Sequence, residues 1–430
     1  MRDIVYWIWL SLSVTPGTNT FGKLIEKFGS AKEIFSADET DIAAAIGSRS
    51  RDFAAIMNRD TQRAERILEF CEKKGVGILT YSDDKYPDAF RRISTPPVLL
   101  YYRGTLPDFA SECFISMVGM RKLTDYGRRN AFVIGYDLAC AGAVIVSGMA
   151  IGIDGVSHAG SLSAGGINVA FLGSGIDVCY PEQHKTLARE IVKRGCIMTE
   201  YPPTTRPLKH NFPRRNRLIA ALSCATVVIE GRMRSGAVIT AKFAREFGKA
   251  LYALPGNVDN VTSEVTNVLI KNGAKLITSA VDIVADLEYI YLGKLFLGKI
   301  KPKPEVSMDK VLSDFAVCCV CPSDDIFPNY SGRRRRSSNP KSKEIKRIDE
   351  INAVVLPDTA NDTPNFIENL NFDKDTLRIY KKIPVDGDCA ISELVDGKDK
   401  MHIVMKALLR LELGKFVVLL PGERVKRNLK

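Results

Sequence analysis

The chain has 430 residues, 45% hydrophobic and 26% charged, with a formal net charge of +11. That length suits about two or three domains with sizeable cores, and the balance is globular rather than fibrous or disordered. The cationic excess points to a polyanionic partner, while the lack of any run near ~20 apolar residues argues against a membrane span.

Residues 1–75 read as short helices. Val14-Thr15-Pro16-Gly17 is a turn signal. Phe21, Leu24, Ile25 and Phe28 then fall at helical spacing and Gly29 stops the helix. From about residue 76 strands and helices alternate. Strands are expected at 76–80, 114–118, 144–147, 167–172, 196–199, 226–229 and 251–254. Helices are expected at 125–141, 153–164, 182–193 and 237–247, with another following the basic loop 209–217. Apolar runs of this length between helices are strands buried on both faces, hence a parallel sheet. The right-handed crossover makes this an α/β, Rossmann-like, doubly wound fold over residues 76–297. Ligands of such sheets bind outside the carboxyl ends of the strands.

Residues 298–370 carry Lys-Pro pairs, the run Arg333 to Arg336 and few apolar clusters, so they read as linker with little fixed structure. Residues 371–430 read as three helices and a hairpin, a winged-helix-like pattern. In its third helix His402, Lys406 and Arg410 stand among apolar residues, so protein docking competes with groove binding. The ten cysteines show no secretory framework. Cys140, Cys196 and Cys224 sit in apolar runs and read as reduced core thiols. Cys318, Cys319 and Cys321 have no second pair at zinc spacing, so no metal is expected. No secretory signal is evident, and a cytoplasmic protein is expected.

Four stretches carry the candidate chemistry. The first turn is Gly119-Met120-Arg121-Lys122. The second runs from Ser147-Gly148 to Asp154-Gly155, with His158 a helical turn further on. The third begins Gly173-Ser174-Gly175. The fourth is the basic loop Lys209-His210-Asn211-Phe212-Pro213-Arg214-Arg215-Asn216-Arg217, which runs into an apolar helix. Taken singly, each glycine is a tight turn and the charge run a solvated surface. Together at one sheet edge they describe a cleft whose amides and cations take phosphates, with Phe212 offering a ring for a base.

In order along the chain, G-x-R-K, S-G-x-A-x-G-I-D-x-x-x-H, G-x-G-x-D-x-x-Y-P, E-Y-P-P, F-P-R-R-N-R-x-I-A, S-G-x-x-I-T-A and P-G-N followed by N-x-L-I-x-x-G-A resemble the DNA-processing protein A (DprA, or Smf) family. The resemblance implies a Rossmann-like core that binds single-stranded DNA, usually as a homodimer. It implies a role in natural transformation, loading the recombinase RecA and displacing single-strand binding protein, with no catalytic turnover and no cofactor. Carried onto this chain, it implies DNA contacts from Gly119, Arg121, Lys122, Ser147, Gly148, Gly173, Ser174, Gly175, Lys209, Phe212, Arg214, Arg215, Asn216 and Arg217. The flanking parts are similar to the family's optional SAM-like (helix-hairpin-helix) and winged-helix modules. Met120 stands where the family usually has serine, which removes a hydroxyl from the first turn. Two other functions compete on this fold. Asp154 and His158 have the spacing of an acid–base pair, as in a LOG-like nucleotide hydrolase, but Pro255-Gly256-Asn257 lacks the second glycine of that signature. The cleft also suits a sensor of small phosphates. Asp154 is expected to cap the second turn.

Overall fold

The computed structural model describes residues 2–233, 235–300, 307–319, 374–384 and 388–395, and between 401 and 427 residues 401, 404–405, 407–408, 411, 417–420 and 424–427. The chain opens with six helices: α1 (Asp3–Ser13), α2 (Thr20–Phe28), α3 (Ala31–Ser36), α4 (Glu39–Ile46), α5 (Arg51–Met57) and α6 (Gln62–Lys74). Their apolar faces meet around Trp7, Trp9, Phe21 and Leu24, all buried. Asp52 ties the Pro-Gly turn down by accepting from the Thr15 amide at 3.2 Å and the Thr15 hydroxyl at 2.6 Å.

The central unit runs β1 (Gly77–Thr80), α7 (Asp88–Arg91), β2 (Leu99–Gly104), β3 (Phe114–Val118), α8 (Asp125–Ala141), β4 (Val144–Ser147), α9 (Ile153–Ser163), β5 (Asn168–Phe171), α10 (Lys185–Arg194), β6 (Cys196–Thr199), α11 (Asn211–Leu222), β7 (Ala225–Val228), α12 (Gly236–Glu246), β8 (Ala250–Ala253), α13 (Glu264–Lys271), β9 (Lys275–Leu276) and α14 (Ala280–Leu287). The nine strands form one sheet in the order β1-β2-β6-β5-β4-β3-β7-β8-β9. β1 and β2 are antiparallel to their neighbours, and the seven strands from β6 to β9 run parallel. The expected mixed α/β fold with a mostly parallel sheet is therefore present. Strands β3 to β7 are buried at every position. Helices α11 and α12 cover one face and α8, α9 and α14 the other. The chain winds outward from β3 through β4, β5 and β6, then returns to pair β7 on the other side of β3. That reversal leaves a crevice at the carboxyl ends of the strands.

Two expectations need correction. The stretch read as linker contains α15 (Met308–Asp314), whose Val311 and Leu312 are buried with the α8 and α9 side chains. Cys318 also binds the core: its amide donates to His184 Nε2 at 3.0 Å and its carbonyl accepts from the Gly152 amide at 3.1 Å. Apolar positions three and four apart were enough to dock one short helix. Arg333 to Arg336 and Cys321 lie outside the described residues. The second correction concerns residues 209–217. Helix α11 begins at Asn211, not after the arginines, because Pro213 is tolerated in a first turn.

Near the C-terminus α16 (Lys374–Lys382), β10 (Asp388–Ala390), α17 (Ile391–Leu394), β11 (Val417–Leu420) and β12 (Arg424–Arg427) include an antiparallel sheet in the order β10-β12-β11. Ile379, Leu394, Val404, Leu408, Val417 and Val425 form its core. His402, Lys406 and Arg410 lie outside the described residues.

Candidate functional site

The four stretches singled out in the sequence all emerge at the carboxyl edge of the parallel strands. Gly119, Arg121 and Lys122 follow β3, Ser147 and Gly148 end β4, Gly173 to Gly175 follow β5, and residues 209–217 follow β6. Phe212 is the junction. The Arg121 guanidinium carbon lies 5.6 Å from its ring centroid and that of Arg215 lies 5.8 Å away. Tyr180 approaches the same ring at 5.5 Å between centroids. The Asn211 side-chain amide anchors the start of α11 by donating to the Gly173 carbonyl at 3.0 Å.

The helix decides which cations face outward. Successive residues of a helix are turned by about 100°, so neighbouring arginines cannot share a direction. Arg214 and Asn216 are half-buried, while Arg215 and Arg217 are buried. Arg215 passes beneath the second turn and donates to the Phe171 carbonyl. Burial pushes its guanidinium down to about 10, and the nearby Asp154 opposes that shift. Gly148 makes this path possible, because a Cβ there would sit 2.0 Å from an Arg215 nitrogen. Gly173 does the same for Phe212, whose ring atoms would lie 3.0 Å from an added Cβ. At these two positions glycine makes room for the protein's own side chains.

Arg217 departs furthest from its expected place. It is 2% exposed and donates to the buried carboxylate of Glu200. The Gly17 turn of the N-terminal helices lies against it. Burial raises the Glu200 carboxyl and Arg217 pulls it back down. Ser147 and Ser174 are also turned inward. The Ser147 hydroxyl donates to the Met117 carbonyl at 2.6 Å, and that of Ser174 to the Val178 carbonyl at 2.8 Å. The Ser147 hydroxyl ties the end of β4 to β3, and that of Ser174 closes its own turn. Gly119 lies over Ile153, and Gly175 packs against the Pro202 carbonyl.

Lys122 and Lys209 stand exposed at the edge, with Arg121 and Arg214 half-buried beside Phe212 and Gly17 respectively. Two exposed cations missed in the sequence join these loops: Arg206 in the β6 loop and Arg232 in the turn after β7. Arg232 was readable, since Gly231-Arg232 follows a buried strand as Gly119 to Arg121 does. Asn216 points toward α12, donating to the Gly236 carbonyl at 3.4 Å.

Asp154 and His158 do not work on one another. Asp154 accepts from the Gly148 amide at 3.2 Å and the Ala150 amide at 3.4 Å, so it orders the second turn as expected, but from inside the first turn of α9, whose cap position is Gly152. Burial raises its carboxyl, against Arg215 and those two amides. His158 instead meets Asn168 at 2.9 Å, fully buried. Among the described residues no group of histidine, cysteine and carboxylate side chains has the arrangement of a metal site. No described helix is long and apolar enough to cross a membrane.

The profile of the family described as DNA recombination-mediator protein A matches residues 77–288, the span from β1 through α14. Protein Smf of Synechocystis sp. is 35% identical over 291 residues, covering 67% of this chain and 73% of that protein. DNA processing protein DprA of Streptococcus pneumoniae is 38% identical over 251 residues, covering 58% of this chain and 86% of its own length. The X-ray structure of the Streptococcus pneumoniae protein superposes with a TM-score of 0.58 at 32% identity, covering 66% of this chain and 98% of that one. Similarity of this extent in both sequence and fold places the chain in the DNA-processing protein A (DprA/Smf) family.

Proposed function

We propose that this protein binds single-stranded DNA along the carboxyl edge of its sheet and helps load the RecA recombinase during DNA uptake, as a homodimer and without catalytic turnover. One observation carries the DNA reading: the carboxyl edge sets the Arg121 guanidinium 5.6 Å from the Phe212 ring centroid and leaves Lys122 and Lys209 exposed on neighbouring loops, with Arg214 half-buried in the first turn of α11. Side chains on loops follow one flexible backbone more readily than a stiff duplex. A ring beside them offers base stacking, worth roughly 1–3 kcal/mol without sequence choice. The proposed contacts are Arg121, Lys122, Lys209, Phe212, Arg214 and Asn216, with Arg206 and Arg232 added. Arg215, Gly148, Gly173 and Gly175 support them from beneath.

Anisotropy titrations with oligo-dT and with duplex across a salt series test this. Three or four neutralised phosphates give a slope of log affinity on log salt of about −2 to −3 for single strands. Single strands should bind more tightly than duplex. Arg121→Ala and Lys122→Ala should each flatten the slope by roughly 0.7. Unchanged affinity and slope in both folded variants would remove the edge from consideration. The RecA role is tested by strand exchange on DNA pre-coated with single-strand binding protein, where no stimulation by this protein would count against it.

The domain division accompanies this proposal: a SAM-like helical module over 1–75, a Rossmann-like core over 76–297 and a winged-helix-like part over 371–430. Edge strand β9 has one side unpaired among the described residues, and exposed Leu276 and Val281 beside it give an apolar surface for a second copy. Light scattering at micromolar concentration should return the mass of two chains. A single-chain mass, with or without DNA, would exclude the dimer.

A further inference from the structure

The amino ends of the strands, opposite the basic edge, border a cleft of about 1090 Å3 whose walls include Tyr86, Phe109, Phe247 and Tyr291. Cys224, half-buried and immediately before β7, belongs to its lining. Cys113 immediately precedes β3 and is fully buried. β3 and β7 are parallel neighbours with Ile115 opposite Ala225, so Cys113 is offset by one residue from Cys224 across the ladder. Strands about 4.8 Å apart, rising about 3.3 Å per residue, put the two Cα atoms about 6 Å apart. That lies within the span a disulfide bridges. The two Sγ atoms are 3.7 Å apart.

The surroundings make the sulfurs unequal. The Cys224 thiol donates to the Phe114 carbonyl at 3.2 Å, which leaves the Cys113 S–H to donate to Cys224 Sγ. Tyr291 and Lys249 line the same cleft, and both favour a negative Cys224 sulfur. The Cys113 thiol, then Tyr291 and Lys249, hold Cys224 below its ordinary value despite burial. The same thiol–thiol bond, with burial, pushes Cys113 well up. Of the two, Cys224 gives up its proton to solvent more readily, and the thiolate so formed is the nucleophile.

We propose that Cys224 is an oxidation site for small peroxides entering by this cleft, with Cys113 as its resolving thiol. The Cys224 thiolate attacks one peroxide oxygen, and the O–O bond breaks. Hydroxide leaves and takes a proton from solvent to become water. Cys224 becomes a sulfenic acid, oxidised by two electrons as the peroxide gains two. The Cys113 sulfur then attacks the Cys224 sulfur. The S–O bond breaks, and the hydroxyl departs as water with the Cys113 proton. The new S–S bond ties the start of β3 to the start of β7. No residue of the basic edge takes part, so this inference stands apart from DNA binding.

The test treats the full-length protein with hydrogen peroxide at low molar excess, alkylates the remaining thiols and maps the peptides by mass spectrometry. The expected product is a Cys113–Cys224 disulfide, formed before Cys318 or Cys319 is modified. In Cys113→Ser, oxidation should stop at a sulfenic acid that dimedone traps on Cys224. A measurement on the unsubstituted protein guards against a folding defect: the pH dependence of alkylation should show Cys224 titrating below Cys113. The proposal is overturned if Cys224 stays reduced while Cys318 or Cys319 oxidises, or if Cys224 alkylates only once the protein unfolds.

Discussion

Glu200→Ala is expected to lower the unfolding free energy by about 3–5 kcal/mol. Glu200 and Arg217 are 7% and 2% exposed, and one Arg217 Nη donates to the carboxylate. The other Nη and Nε of Arg217 have no hydrogen-bond partner among the described residues. Removing the carboxylate leaves a guanidinium that can neither reach water nor shed its proton. The cost is that uncompensated charge, more than the lost contact itself. Replacing both residues, Glu200→Ala with Arg217→Met, should recover most of the loss, since no buried charge remains. Chemical denaturation of the two variants measures this, and a loss below about 1 kcal/mol for Glu200→Ala would contradict a desolvated pair. The same residues separate fold from function. Arg217→Met, where folded, should keep the salt slope of single-strand binding that Arg121→Ala flattens.

Acid should weaken the protein through His158. Its ring is fully buried, with Nδ1 2.9 Å from Asn168 Oδ1. The Asn168 amide nitrogen donates to the Ser161 hydroxyl at 3.0 Å, so its oxygen is the atom that accepts from His158. Nδ1 therefore carries the proton, and Nε2 has no partner among the described residues. A second proton would place an unpaired charge in the core. Burial accordingly lowers His158 to about 4 from the ordinary 6.5. The sign follows from proton counting. Between those values the unfolded chain takes up a proton that the folded chain refuses, so stability falls as pH drops from about 6.5 toward 4 and levels off below. The full effect is about 3 kcal/mol. His184 acts in the same direction, lowered chiefly by burial, and its protonation would also cost the bond from the Cys318 amide. Asp154 and Glu200, both raised by burial, act in the opposite direction. The difference between wild type and His158→Gln isolates the histidine. Parallel unfolding free energies for the two proteins from pH 7 to pH 4 would show that His158 is not held neutral.

How much the sequence determined depends on how local the cause is. Strands β3, β4 and β6 and helix α8 have the bounds expected from apolar runs closed by glycine or polar residues. Burial on both faces makes these strands mostly apolar, so the parallel sheet was legible, and with it the edge where the four stretches meet. The ordering of the second turn by Asp154 was legible too, because its partners lie four and six residues away. The direction of individual side chains was not. Arg217 turns toward Glu200, 17 residues earlier, and Arg215 toward Phe171, 44 residues earlier. Ser147 bonds to Met117, 30 residues away. Charge and hydroxyl content in a sequence show what a residue can bind, but only the packed chain shows whether a partner within the protein has already taken it. The thiol pair is the extreme case. Cys113 and Cys224 are 111 residues apart, Cys224 reads alone as a reduced core thiol, and nothing in the sequence singles out Cys113. They become neighbours only because the chain, having wound outward from β3 to β6, returns to lay β7 beside β3.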